Sequence, residues 1–134
     1  MIRNMDMVRV ILLKIEDEHN GKHPLCIKQI EDYDSTSIIY HMDMLSQAGF
    51  IRDYEGTDQN LEHSYAADEW IDKGLLVTVD GLTWEGHDFL EKIRDISAWG
   101  KIKKAITDKG LPLTVDVIKE VAKVLISQGI KSLI

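Results

Sequence analysis

The chain of 134 residues has one cysteine, no long apolar run and no lysine or arginine anywhere between Glu31 and Ala48. A single thiol, Cys26, excludes an internal disulfide framework and fits a reducing compartment. The apolar runs are no longer than Val10-Ile11-Leu12-Leu13 and its like, far too short to cross a bilayer, so no membrane partner is expected. The opening MIRNMDMVRV lacks an apolar core followed by a small-residue cleavage site. No secretory signal is therefore expected, and the cytoplasm is the expected location. There is no glycine-rich phosphate loop, no H-E-x-x-H and no G-x-S-x-G, so the reading is of a non-enzyme with no catalytic residue and no cofactor.

What is present is an ordinary globular balance, 44% hydrophobic and 29% charged, at a length that supports one core with a tail. The charge is unevenly placed. Residues 1–91 hold 7 basic and 19 acidic side chains, while residues 92–134 hold 9 basic and 4 acidic. A basic C-terminal segment of this kind can neutralise an acidic partner, either another chain or the N-terminal part of its own.

The periodicity predicts a helix over Asp6–His19, capped by Asp6, with Val8, Ile11, Leu12 and Ile15 on one face and Asn20-Gly21 as the stop. Residues 22–33 read as a short strand followed by a turn or a stunted helix. A second helix starts at Asp34 or Ser35, turns Ile38, Met42, Leu45 and Ala48 inward, and ends at Gly49. Phe50–Tyr54 and Leu75–Val79 read as a strand pair around a polar, acidic loop at 55–74, with Asp80-Gly81 as the turn that follows. Thr83 caps a third helix with Phe89, Leu90, Ile93 and Ile96 inward, continuing through Trp99, Ile102 and Ile106 with a bend at Gly100. Gly110-Leu111-Pro112 breaks it. A last helix runs from Thr114 to about Gln128 and is apolar over more than half its circumference.

Candidate chemistry is sparse. His19, His23 and Cys26 have spacings that could converge on a metal, but Asn20-Gly21 and Pro24 interrupt any helix that would align them, so no metal site is expected. His41 lies beside its helix's core stripe and reads as a hydrogen-bonded structural histidine. Trp84 and Trp99 read as core or interface anchors. Trp70, in the acidic loop, reads as folded onto the body or as part of a partner surface.

Two segments carry a resemblance. Leu45-Ser46-Gln47-Ala48-Gly49-Phe50-Ile51 resembles the L-x-x-A-G-L-I signature with which bacterial regulators of the winged-helix class leave the recognition helix. Leu82-Thr83-Trp84-Glu85-Gly86-His87-Asp88-Phe89-Leu90 resembles the L-T-x-x-G-x-x-F-L that follows their wing. With Asp6-Met7-Val8-Arg9 and the Trp99 stretch, the chain is similar to an uncharacterised bacterial and phage family of domains of unknown function. The resemblance implies a mainly α fold with a small β-hairpin: a winged helix over 1–96 and a C-terminal helical extension over 97–134. It implies a non-catalytic binding module, either a transcription-regulator-like DNA binder or a winged helix turned to protein–protein interaction.

The chain departs from the DNA-binding pattern in two places. A helix-turn-helix needs a helix before the recognition helix, and only residues 22–33 are available for it. The outward stripe of the recognition helix would be Thr36, Tyr40, Asp43 and Gln47, of which Thr36, Tyr40 and Gln47 are candidate DNA contacts. Asp43 would face phosphates, at a cost of about 0.7 kcal/mol for a pair about 6 Å apart in water. The usual phosphate clamps are missing. The basic candidates lie elsewhere, at Lys101, Lys103 and Lys104, so nucleic acid is a disfavoured partner and a protein a competing one. Val117, Val121, Val124, Ile126 and Ile130 on the last helix are candidate interface residues of a homodimer.

Overall fold

A computed structural model of the chain describes residues 2–27, 30–53 and 78–133. Among these residues the order is α1 (Met5–Glu18), β1 (Leu25–Cys26), α2 (Ser35–Gln47), β2 (Ile51–Asp53), β3 (Thr78–Leu82), α3 (Trp84–Ile93), α4 (Ile96–Asp108) and α5 (Val115–Leu133). The fold is mainly α with a small antiparallel sheet, as the sequence pattern predicts. It divides into two compact units, Met1–His87 and Asp88–Ile134, so that α3 belongs partly to each.

In the first unit α1 packs on α2 and β3, and α2 packs on β2. Met5, Met7, Val8, Ile11, Leu12 and Ile15 of α1 are buried. Asn4, not Asp6, is the cap: its side chain accepts the Asp6 and Met7 N–H groups. Asp6 falls instead in the first turn, where a carboxylate suits the positive end of the helix dipole. Between α1 and α2 the chain makes β1 and then a turn closed by the Ile30–Tyr33 bridge, with Asp32 at φ +74°. No helix occurs among the described residues of this stretch.

The sheet has three strands in the order β1-β3-β2. Leu25 faces Val79, Ile51 faces Leu82 and Asp53 faces Val79. Two steps along β2 therefore match three along β3, and β3 carries one extra residue. Asp80-Gly81, expected as a turn, lies inside β3 instead. Gly81 sits at φ +104°, which lets a bulge absorb the extra residue without ending the strand. Residues 75–77 of the expected strand, the acidic loop and Trp70 lie outside the described residues.

α2 opens on Asp34 and buries Ile38, His41, Met42 and Leu45. Ala48, expected inward, is the exposed C-cap. Gly49 follows at φ +79°, a left-handed position that ends the helix and that glycine takes at little cost. The two resemblance motifs then meet. Thr83 donates its hydroxyl to the Gly49 carbonyl, accepts the Gly86 N–H at 2.9 Å, and gives its own N–H to the Phe50 carbonyl at 3.0 Å. One threonine thus caps α3 and ties it to the end of α2.

In the second unit α4 packs on α5. The long helix expected to run from Thr83 through Ile106 is two helices, α3 and α4. The first ends at Ile93, and Asp95 caps the second, accepting the Ala98 N–H at 2.8 Å. The break falls there and not at Gly100, which lies inside α4, and it turns Ile96 outward to 68% exposure. Trp99, Ile102 and Ile106 of α4 and Ile118 and Ala122 of α5 are buried. Thr114 starts α5, accepting the Val117 N–H at 3.3 Å.

Candidate interaction surface

The surface begins with helical spacing. Thr36, Tyr40, Asp43 and Gln47 recur every three or four residues and form one exposed stripe about 16 Å long on α2, opposite its buried side. Tyr40 stands edge-on to His41, ring centroids 5.8 Å apart, and is 40% exposed. Gln47 donates its side-chain amide to Asp43 at 2.9 Å. That bond engages an amide N–H that could otherwise read a base or a phosphate. At the other end of the helix, the backbone N–H of Ser37, and then its hydroxyl, hold the Asp34 carboxyl below the ordinary carboxylate range. The stripe as a whole offers acceptors and negative charge.

His41 is structural, as expected. It is buried, its Nε2 accepts the Asn4 N–H at 2.8 Å, and its Nδ1 lies 2.8 Å from the Ser37 carbonyl. Those roles assign the proton to Nδ1. The ring joins the cap of α1 to the first turns of α2 and so fixes how the stripe is carried.

Of the two places expected for Trp84, core or interface, the core is the one it does not occupy. It is 79% exposed at the first position of α3, while Trp99 is buried. The Thr83 and Gly86 contacts place Trp84 beside the C-terminal turn of α2, where Gln47, Ala48 and Gly49 are also exposed. Glu85 follows it in the first turn of the helix. In the middle of β3, Asp80 lies 3.2 Å from the Arg52 guanidinium and 3.6 Å from Nε2 of His19. His23 is exposed.

The three candidate lysines divide. Lys101 and Lys104 are exposed on one side of α4, whereas Lys103 lies over the Trp99 ring at 5.4 Å. On α5, Val117, Val121 and Val124 share one side at spacings of four and three, and Ile126 falls on the other. Val124 and Ile126 are each 53% exposed. The Ile130 side chain lies outside the described residues. The Asp43–Gln47 bond was foreshadowed only by its four-residue spacing. The Asp95 cap was foreshadowed by an aspartate just ahead of an apolar position.

A mainly α chain with a small antiparallel sheet and an acidic, aromatic helix face is the class that this geometry defines. The chain belongs to the family described as "Hypothetical protein (DUF2513)", whose model matches residues 2–112. It is also 34% identical over 128 residues to an uncharacterised protein of Haemophilus influenzae, covering 96% of this chain and 98% of that protein. No solved structure matches. No helix among the described residues is long and apolar enough to cross a membrane.

Proposed function

We propose that this chain is a non-catalytic winged-helix binding module that meets a protein partner through α2 and pairs with a second copy through α5. The winged-helix reading is supported by the order of elements and by β3 lying between β1 and β2, with α2 leading straight into β2. The choice of a protein over DNA rests on one observation: Gln47 is bonded to Asp43 on an α2 face without a cation. Charge neutralisation of phosphates carries much of DNA affinity, and this face has no lysine or arginine to supply it. The link before α2 also lacks the supporting helix of a helix-turn-helix among its described residues.

DNA binding is the second reading, supported by the exposed pair Lys101 and Lys104. A salt-dependent titration of duplex DNA separates the two. The proposed module binds weakly or not at all. Tight binding abolished by Thr36→Ala or Tyr40→Ala would restore recognition-helix readout. Binding abolished only by replacing Lys101 and Lys104 would support the second reading. The pairing is supported by the Val117, Val121 and Val124 side of α5, an apolar stripe that a two-fold copy of itself would cover.

A further inference from the structure

We propose that the outer face of α2, together with Trp84 at its C-terminal end, docks an arginine- or lysine-bearing segment of a partner protein. The inference rests on the reading of the chain as a protein-interaction module and adds the chemistry of what it binds.

Several independent features of this face select the same charge. From Tyr33 to Gly49 the chain has no lysine or arginine. With the Gln47 amide donating to Asp43, the stripe presents the remaining carboxylate oxygen, the Gln47 carbonyl and two hydroxyls, all of them able to accept. The last turn of α2 carries no basic residue, so no side-chain cation of that turn offsets the negative end of its dipole. Glu85 adds a second carboxylate next to Trp84.

Trp84 supplies the complementary apolar element. Its indole is 79% exposed, yet the backbone on both sides is pinned, by Thr83 to Gly49 and Phe50 and by Gly86 against the Phe50 carbonyl. With the main chain already ordered, binding has only the indole's two side-chain torsions left to fix. Its face attracts a guanidinium or ammonium group. A neutral apolar segment laid over the stripe would desolvate Asp43 without pairing it, and a phosphate would meet like charge. A cationic segment offers partners of the right charge to both the ring and the carboxylates. The molecule's charge agrees: Met1–His87 holds 17 acidic and 7 basic residues.

The test uses the full chain and a fluorescein-labelled hepta-arginine peptide, followed by anisotropy at physiological salt. The parent protein binds. Trp84→Ala, which leaves the charge unchanged, weakens binding about 3- to 30-fold, the range of a cation–π contact, while Trp84→Phe retains most of it. Asp43→Asn weakens binding, and Asp17→Asn, an equal charge loss on the exposed surface of α1, does not. Circular dichroism melts confirm that each variant is folded. Absence of peptide binding, or equal binding by all these variants, overturns the inference. Self-association abolished by Trp84→Ala would make the occupant a second copy and overturn the assignment to a separate partner. Duplex DNA that displaces the peptide and is lost with Tyr40→Ala overturns both this inference and the proposed function. If neither peptide nor DNA binds, the inference alone fails.

Discussion

Gly86 lies so close to Phe50 that a Cβ on it would come within 2.0 Å of the Phe50 carbonyl oxygen. That oxygen also accepts the Thr83 N–H, so the start of α3 is pressed onto the end of α2 at the point where the two sequence motifs meet. Gly49, in the neighbouring motif, is required for a different reason. It has open space around its Cα but a φ of +79°.

These reasons predict opposite tolerances. Gly86→Ala should cost about 3 kcal/mol or more, because backbone must move to admit the methyl group. Gly49→Asn should be mild, since asparagine visits the left-handed region, while Gly49→Val should cost about 1–3 kcal/mol in backbone strain. Urea denaturation of the variants checks the contrast. Equal effects of Gly86→Asn and Gly49→Asn would contradict it.

His41→Phe should destabilise by about 1–3 kcal/mol, because the part-buried Asn4 N–H loses its acceptor and the Ser37 carbonyl loses its side-chain donor. The substitution keeps an apolar ring, so loss of packing does not account for the effect. Leu45→Ala should cost about 2–5 kcal/mol as a deletion at a site 3% exposed. A parent-like melting curve for either would place α2 differently against α1.

Asp34 makes the stability of α2 depend on pH. Its carboxyl is held below the ordinary range by the Ser37 N–H and hydroxyl, so the folded state favours the ionised form. The stabilisation is present above the ordinary carboxylate range and is lost as pH falls through that range and the lowered value. Asp34→Asn keeps a capping oxygen without the charge. The difference in stability between parent and variant should therefore shrink steadily from about pH 6 to about pH 2. A constant difference would show that the charge of Asp34 contributes nothing.

Self-association should depend on one side of α5. Val124→Asp should shift the protein toward monomer in light scattering without unfolding it, since Val124 is 53% exposed. Ile126→Asp, equally exposed on the other side, should leave the assembly intact. A parent that is monomeric at high micromolar concentration would remove the pairing altogether.

Local signals made much of the fold legible. The three- and four-residue apolar spacing located α1 and α2, and Gly49 and Thr114 marked a helix end and a helix start. The extended piece before α2 was legible in the alternation of Leu25 and Ile27. Errors arose where two neighbouring residues compete for one role. Asn4 outcompetes Asp6 as the cap of α1, and Asp95 divides a helix whose apolar pattern runs on without interruption. Asp80-Gly81 has the composition of a turn, yet pairing on both sides of β3 holds it in the strand.

The sequence by itself determined the mainly helical class, the acidic outward stripe of α2 and the absence of basic residues on it, because periodicity and charge are properties of the chain's order. Tertiary structure decided the rest. It buried Trp99 and exposed Trp84, two tryptophans that composition cannot tell apart, because burial depends on which surfaces the rest of the fold brings up to each ring. It also turned two separate motifs into one junction, because the contact of Gly86 and Thr83 with Gly49 and Phe50 exists only once α3 is laid against the end of α2.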